Sequence, residues 1–263
     1  TVNAASGAPS TPAGSVTVQP TCATTTGTIV FTTQSGVEYS IDGTTYQSSA
    51  TFTGVAAGTY TLKVRSTSDN TCIATGATVT VNAVPSAPST PTASVTVQPT
   101  CATTTGTIVF TTQSGVEYSI DGTNYQSSET FTGVAPGTYT LSVRSTTDNT
   151  CTTTGSSVTV NAVPSAPATP VASVTVQPTC ATTTGTIVFT TQSGVEYSIN
   201  GTAYQTSATF TGVAAGTYTL RVRSTTDNTC TAIGATVNLY GPICAIADTA
   251  GPINGLLGAT TAS

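Results

Sequence analysis

Seven cysteines carry the clearest chemistry in this chain, and six of them recur in two sets at a fixed spacing. One set ends a QPTC segment and the other ends a DNTC segment, and the sets are Cys22, Cys101 and Cys180, and Cys72, Cys151 and Cys230. Such cysteines either form disulfides in an oxidising compartment or hold a metal ion as thiolates. The sequence has no CxxC pair and no histidine, which disfavours a metal site. The pattern therefore predicts disulfides and an extracellular or cell-surface location.

The simplest pairing joins the two cysteines of one copy, which predicts the bridges Cys22–Cys72, Cys101–Cys151 and Cys180–Cys230. Each bridge would close a loop of about 50 residues and stabilise its domain by about 4 kcal/mol in the chain-entropy description. Cys244 lies beyond the third copy. Three fates stay open for it: a bridge to a cysteine outside this sequence, a cross-link to a partner, or an unpaired thiol.

Carboxylates are the next candidates for chemistry, because the absence of histidine removes the Ser-His-Asp and Cys-His arrangements. Glu38 and Asp42 recur in the second copy, but the third copy has Asn200 in place of the aspartate, so a glycosidase-type pair is disfavoured. The lone aspartate of each DNTC segment offers too few oxygens for calcium and is interpreted as a loop residue. We expect no catalytic residue, no metal and no cofactor, and hence a protein that is not an enzyme.

The charge content excludes two classes of partner. Only 6% of the residues are charged, the net charge is −5, and Lys and Arg together number five. Nucleic acids and anionic membrane surfaces both require clustered cations. No apolar run approaches the roughly 18 residues of a spanning helix. We therefore expect neither nucleic-acid binding nor direct membrane insertion.

An internal repeat determines the architecture. The segment SVTVQPTCATTTGTIVFTTQSGVEYSI begins at Ser15, Ser94 and Ser173, a period of 79 residues. That length suits a small autonomous domain. Within each copy, apolar and polar residues alternate over about six or seven short segments, as in Tyr60, Leu62 and Val64, with turn signals between them. The prediction is an all-β chain of tandem Greek-key β-sandwich domains.

Turn residues support this assignment. Asp42-Gly43 is typical of a hairpin turn that needs positive φ, and Asn200-Gly201 replaces it in the third copy, so the requirement is conformational. The segment VAAGTY resembles the corner of immunoglobulin-like sandwiches, in which a tyrosine hydroxyl bonds back across the turn. This predicts structural corner tyrosines at Tyr60, Tyr139 and Tyr218; the alternative is a core tyrosine without that bond.

The predicted domain organisation follows from the repeat and from the prolines between copies. The prolines Pro85, Pro88 and Pro91 are spaced by three, as in a polyproline II strut, which favours an elongated array. The predicted divisions are the last strand of a preceding repeat at 1–4, linkers at 5–14, 83–93 and 162–172, immunoglobulin-like repeats at 15–82, 94–161 and 173–240, and a C-terminal extension of unknown fold at 241–263.

The sequence contains two kinds of candidate surface site. Tyr46, Tyr125 and Tyr204 follow the hairpin turn and precede glutamine, and aromatic rings beside amides can stack on sugars; the alternative is a ring laid across the sandwich edge. In the tail, Asp248-Thr249-Ala250 resembles the short O-glycosylation motif of Bacteroidota, which makes Thr249 a candidate for modification.

The motifs QPTC, GVEYSIDGTTYQ, FTGVAAGTY and DNTC, in that order, resemble the repeats of giant cell-surface adhesins of Bacteroidota, which include type IX secretion and gliding-associated surface proteins. The resemblance covers residues 15–239 and not the tail. It implies an immunoglobulin-like stalk module outside the outer membrane, with a role in adhesion or in a surface filament.

The function expected from these observations is a structural stalk or spacer of an extracellular adhesin or filament. One alternative is a self-assembling filament subunit that donates Thr1–Asn3 as a strand to a neighbour. The other is a carbohydrate-binding surface module. The expected partners are neighbouring repeats or subunits of the same protein, and surface glycans.

Overall fold

The computed structural model describes residues 7–244, and within this range the chain is all-β. These residues contain no helix, and hence none with the length and apolar character needed to cross a membrane. The predicted strand at 1–4, the strand donation by Thr1–Asn3 and the modification of Thr249 lie outside the described residues.

Each repeat contributes six strands. Repeat 1 has β1 (Gly14–Val18), β2 (Gly27–Phe31), β3 (Val37–Ser40), β4 (Thr51–Val55), β5 (Gly58–Ser66) and β6 (Ile73–Val81). Repeat 2 has β7 (Ala93–Val97), β8 (Gly106–Phe110), β9 (Val116–Ser119), β10 (Thr130–Val134), β11 (Gly137–Ser145) and β12 (Thr152–Val160). Repeat 3 has β13 (Ala172–Val176), β14 (Thr184–Phe189), β15 (Val195–Ser198), β16 (Thr209–Ala214), β17 (Gly216–Ser224) and β18 (Thr231–Leu239).

The strands of each repeat form two three-stranded antiparallel sheets. In repeat 1 the orders are β1-β2-β4 and β3-β5-β6, and the other two repeats have the same arrangement. The chain crosses from one sheet to the other between β2 and β3, between β3 and β4, and between β4 and β5. This is the Greek-key sandwich that the sequence predicts.

Alternation along the strands fills the space between the sheets. The core of repeat 1 consists of Ile29, Phe31, Tyr39, Val55, Leu62, Val64 and Val81, and repeats 2 and 3 bury the equivalent residues. Val18 lies two residues after Val16 on β1, yet it is 47% exposed. The pairing of β1 with β2 shifts register between Val16 and Val18, and this bulge turns Val18 toward solvent.

The hydroxyl of Tyr60 donates a hydrogen bond of 2.9 Å to the carbonyl oxygen of Ala56, and Tyr139 and Tyr218 make the same bond in their repeats. This is the geometry of a tyrosine corner between β4 and β5. The hairpin glycines also adopt the predicted conformation, since φ is +77° at Gly43 and +78° at Gly201.

The loops of one repeat lie at opposite ends of the sandwich. The side chain of Gln19, just after β1, bonds to the backbone of Thr80 and Asn82, where β6 ends. The loop that holds Cys72 lies at the other end of β6, where that strand begins. A strand rises about 3.3 Å per residue, so the nine residues of β6 separate these ends by about 30 Å.

The linker between the first two repeats is packed onto the second of them. Pro91 is buried, and a Cβ atom added to Gly155 on β12 would overlap its carbonyl oxygen. Thr153 donates a hydrogen bond of 2.8 Å from its hydroxyl to the carbonyl oxygen of Pro88. The second half of the linker is therefore part of the domain that follows it.

This packing predicts that Gly155→Ala destabilises repeat 2 by about 1–3 kcal/mol, the usual cost of overpacking, because the added methyl group meets backbone that cannot rotate away. Urea denaturation measures the change. Gly137→Ala is the matched control, since a Cβ atom there has no neighbour nearer than 3.5 Å. Equal stability of the two variants would contradict the packing of the linker.

The described chain divides into two compact units. One comprises residues up to Gln98 together with Thr105–Asn161, and the other comprises Pro99–Thr104 together with residues from Ala162. A short loop of repeat 2 thus belongs to the same unit as repeat 3. That loop contains Cys101, which is disulfide-bonded to Cys230 of repeat 3.

Candidate functional site at the repeat junctions

The disulfides connect different copies of the repeat, so the predicted pairing within one copy is wrong. The structure has Cys22–Cys151, Cys101–Cys230 and Cys180–Cys244 in place of Cys22–Cys72, Cys101–Cys151 and Cys180–Cys230. The first two bridges each span 129 residues of sequence, and the third spans 64.

The position of the loops excludes the predicted bridges. A disulfide needs Cα atoms about 4.4–6.8 Å apart. Cys22 and Cys72 lie in loops at opposite ends of the sandwich, separated by the length of β6. In the observed bridges the Cα atoms of Cys22 and Cys151 are 5.0 Å apart, as are those of Cys101 and Cys230.

Two cysteines have roles that differ from those predicted. Cys244, for which no partner within the chain was expected, closes a bridge to Cys180. Cys72 belongs to none of these three bridges, and its sulfur lies 3.5 Å from a carboxylate oxygen of Asp69, to which it donates a hydrogen bond.

Each junction consists of two loops. The donor loop supplies backbone N–H groups, and the receptor loop accepts them. The donor loops follow the first strand of each repeat, at 20–25, 99–104 and 178–183. The receptor loops follow the fifth strand, at 67–72, 146–151 and 225–230. Every donor loop begins with a buried proline, and every receptor loop contains DNTC.

Hydrogen bonds accompany the bridge in the first unit. The backbone N–H of Cys22 donates to Oδ2 of Asp148 at 3.0 Å, and the N–H of Ala23 donates to the hydroxyl oxygen of Thr150 at 3.2 Å. Oδ1 of Asp148 accepts hydrogen bonds from both the N–H and the hydroxyl of Thr150. These bonds hold the carboxylate and the hydroxyl oxygen in place as acceptors. The carboxylate thus connects two repeats through hydrogen bonds beside the disulfide.

The second unit contains the same arrangement. The N–H of Cys101 donates to Oδ2 of Asp227 at 2.9 Å, and the N–H of Ala102 donates to the hydroxyl oxygen of Thr229 at 3.2 Å. Cys151 and Cys230 are both fully buried at their junctions. The recurrence of the same bonds shows that the geometry belongs to the repeat and not to one local packing.

The aspartates of the receptor loops have lowered pKa values. For Asp148, the hydroxyl of Thr150 and then the N–H of Cys22 hold the pKa of the carboxyl below its ordinary value, and for Asp227 the hydroxyl of Thr229 and the N–H of Cys101 do the same. The carboxylates remain ionised at neutral pH, which suits acceptors of N–H groups.

These shifts predict acid sensitivity at the junctions. The folded-state pKa of Asp148 lies below the ordinary value of 3.8, so the stability that its carboxylate contributes is fully present above pH 3.8. This stability is lost as the pH falls toward the folded-state pKa. Urea denaturation between pH 6 and pH 2 should therefore show a steeper loss of stability below pH 4 in the natural chain than in Asp148→Asn/Asp227→Asn. Parallel profiles would contradict this role.

At each junction a carboxylate lies beside two cysteine sulfur atoms, but these sulfur atoms are not thiolates that could bind a metal ion. Cys22, Asp148 and Cys151 lie close enough to share an ion, as do Cys101, Asp227 and Cys230. However, the sulfur atoms of each cluster are bonded to each other, and the carboxylate oxygens accept N–H and hydroxyl groups. The arrangement acts as a covalent and hydrogen-bonded connection.

The tyrosines considered for sugar stacking are partly covered. The guanidinium carbon of Arg65 lies 4.3 Å from the ring centre of Tyr46, and Glu38 binds the same guanidinium at 2.7 Å. Arg144 covers Tyr125, and Arg223 covers Tyr204, in the same way. One face of each ring is therefore engaged in a cation–π contact, and sugar stacking stays a prediction.

The other carboxylate considered for catalysis stabilises a turn. Oδ1 of Asp42 accepts the N–H groups of Thr44 and Thr45, which lowers the pKa of the carboxyl. Asn200 accepts the equivalent pair of N–H groups in repeat 3. A neutral amide therefore supports the turn in repeat 3, which agrees with the interpretation that this position requires a turn conformation and not an acid.

Sequence reasoning missed the functional importance of Asp148, Thr150 and their equivalents. It treated the aspartate of DNTC as an isolated loop residue. The available signal was its constant position, three residues before a cysteine in every copy.

No family model matches the chain, and no curated protein matches it significantly. Solved structures give weak likenesses. The fibronectin(III)-like modules of Clostridium thermocellum CbhA are 15% identical, with 58% of this chain and 94% of that chain covered and a TM-score of 0.27. The chicken CNTN1 FN1-FN3 domains are 10% identical, with 89% and 97% covered and a TM-score of 0.25.

A third likeness is to SGBP-B of the Bacteroides ovatus mixed-linkage glucan utilization locus, solved with a mixed-linkage heptasaccharide. It is 17% identical, with 89% of this chain and 71% of that chain covered and a TM-score of 0.20. Identities and scores this low establish neither relationship nor function. The strand order of each repeat shows by itself that the chain consists of Greek-key β-sandwiches.

Proposed function

We propose that this chain is a non-enzymatic structural spacer of a secreted or cell-surface protein, in which disulfides fasten each repeat to the next. The observation that carries this proposal is the pair of bridges Cys22–Cys151 and Cys101–Cys230, each between different repeats. A bridge inside a domain stabilises only that domain, whereas a bridge between domains also restricts their relative motion.

The order of the bridges strengthens the proposal. Cys101 lies in sequence between Cys22 and Cys151, and Cys180 lies between Cys101 and Cys230, so successive bridges overlap. No repeat can then be pulled open from its ends without loading a covalent bond. A spacer that bears tension would benefit from this property.

The disulfide bridges also indicate where the protein is located and which functional class it belongs to. Disulfides persist outside the cytoplasm, which favours a secreted or surface protein. Together with the resemblance of the repeat motifs to Bacteroidota surface adhesins, this makes an adhesin stalk or surface filament the specific role that we propose. The groove between Pro85–Ser89 and repeat 2 does not favour an enzyme, since the residues that line it include no titratable side chain.

Small-angle X-ray scattering with and without a reductant tests the spacer role. A compact chain of 263 residues has a radius of gyration of about 18 Å. We expect a clearly larger value for the oxidised chain and a broader distribution of dimensions after reduction, because the repeats then move independently. A compact value, or a profile unchanged by reduction, would count against the proposal.

A further inference from the structure

Repeat 2 differs from the other two repeats at one position of its fifth strand. Ser142 on β11 replaces Lys63 on β5 and Arg221 on β17. The strand pairing is the same at the three positions, because each residue lies opposite the last serine of the third strand of its repeat. Repeat 2 therefore keeps the backbone arrangement of the other repeats and lacks a long cationic side chain.

In repeats 1 and 3 this cationic side chain lies on the hairpin turn. A Cβ atom added to Gly43 would come within 2.8 Å of Nζ of Lys63, and one added to Gly201 would come within 2.9 Å of Nε of Arg221. In repeat 2 a Cβ atom added to Gly122 would have no neighbour within 4 Å. The space that the cation fills in the other repeats is thus open in repeat 2.

The open space in repeat 2 is part of a cavity of about 260 Å³. The hydroxyls of Tyr125 and Ser142 are hydrogen-bonded to each other there at 2.9 Å. In the other repeats an isoleucine, Ile73 or Ile233, replaces one of two threonines that β12 contributes to the cavity. The wall of the cavity is therefore more polar in repeat 2, and its polar lining residues are Asp121, Tyr125, Thr140, Ser142, Thr152 and Thr154.

Asp121 gives this cavity a negative charge. Its Oδ2 accepts the side-chain amide of Asn124 at 2.7 Å and its Oδ1 accepts the N–H of the same residue at 2.7 Å, and these bonds lower the pKa of the carboxyl. In the described part of the chain no cation forms an ion pair with this carboxylate. Arg144, which covers Tyr125, is already paired with Glu117.

We propose that this cavity of repeat 2 binds an organic cation, an alkylammonium or alkylguanidinium group, in the place that the side chains of Lys63 and Arg221 occupy in the other repeats. Those two repeats identify the chemical class, because each places such a group against the same hairpin turn. The carboxylate of Asp121 would accept N–H groups of the cation, as carboxylates do in charge-assisted hydrogen bonds. This inference rests on the cavity and does not depend on the spacer role.

Nuclear magnetic resonance of the full chain tests the proposal with n-butylammonium, which carries the ammonium group and the four-carbon chain of lysine. We expect the amide resonance of Gly122 to shift, with half-saturation in the millimolar range for so small a ligand. The amide resonances of Gly43 and Gly201 should stay in place, because a cation of the chain already lies there. The neutral probe n-butanol should bind about tenfold more weakly, because it lacks the charge.

A second probe distinguishes two sources of the cation. Nα-acetyl-lysine N-methylamide carries the same ammonium group on a peptide backbone. Tighter binding of this probe than of n-butylammonium would identify the ligand as a protein side chain, and equal or weaker binding would identify it as a free amine. Both results require the Gly122 shift and therefore support the cavity as the site.

Two substitutions taken from the other repeats change the cavity and keep the fold. Asp121→Asn removes the charge and keeps the turn, because Asn200 supports the same turn in repeat 3, and we expect the affinity for n-butylammonium to fall about tenfold. Ser142→Lys fills the cavity with the residue of repeat 1 and should abolish the response. Asp42→Asn makes the first of these changes in repeat 1 and is the matched control, which should leave the affinity unchanged.

Three results would overturn the proposal. The first is the absence of a shift at Gly122, and the second is an equal response to n-butanol. The third is an affinity that neither Asp121→Asn nor Ser142→Lys lowers.

Discussion

Stretched by its ends in an atomic force microscope, the oxidised chain will extend to less than one third of the length that the reduced chain reaches. The bridges Cys22–Cys151 and Cys180–Cys244 remove 129 and 64 residues from the loaded path. About 70 residues then carry the force, which allows about 250 Å at roughly 3.6 Å per residue, against about 950 Å for the whole chain.

The same measurement separates the observed pairing from pairing within repeats. Bridges inside each copy would remove fewer residues and allow about 400 Å. The variant Cys22→Ser/Cys151→Ser provides a control, because the path through the remaining Cys101–Cys230 bridge allows about 480 Å. An oxidised length near 400 Å in the natural chain would contradict the overlapping bridges.

Removing the first bridge will cost the first unit about 5 kcal/mol of unfolding free energy, the value of the chain-entropy description for a loop of 129 residues. Both repeats 1 and 2 should be affected, because the bridge constrains the unfolded chain of both. Urea denaturation of Cys22→Ser/Cys151→Ser, followed by the signal of the core tyrosines, measures the change.

Cys72→Ser is the control that discriminates between pairings. Pairing within a repeat makes Cys22→Ser and Cys72→Ser equivalent, since each would break the same bridge. The structure instead predicts that Cys72→Ser keeps all three bridges, because Cys72 belongs to none of them. Equal destabilisation by the two single substitutions would therefore refute the bridges between repeats.

The sequence predicts the sandwich well because the relevant information is local. Alternation places Leu62 and Val64 in the core, and a tyrosine near the start of β5 marks the corner. The turn at Gly43 follows from the dipeptide alone, because positive φ favours glycine. Each of these features depends on neighbours in the chain.

The disulfide pairing could not be obtained in this way. It depends on which end of the sandwich each loop occupies, and this follows from strand order and from the length of β6. In near-identical copies, a pair within one repeat and a pair between repeats have the same local sequence. The shorter separation appeared simpler, but it would require Cys22 and Cys72 to meet across about 30 Å.

The tyrosines show the same limit on a smaller scale. Their position after the hairpin turn is visible in the sequence, but their environment depends on the register of neighbouring strands. Glu38 lies opposite Arg65 in the pairing of β3 with β5, and this places the guanidinium over Tyr46. Such contacts require the register, which alternation alone leaves undetermined.

Tryptic mapping of an unreduced variant tests the pairing most directly. The variant Cys180→Ser/Cys244→Ser would be cleaved after Lys63, Arg65, Arg144, Arg221 and Arg223. The structure predicts two disulfide-linked species by mass spectrometry, one joining peptide 1–63 to 145–221 and the other joining 66–144 to 224–263. A single species joining 1–63, 66–144 and 145–221, with peptide 224–263 released, would show that the bridges close within repeats and would contradict the account.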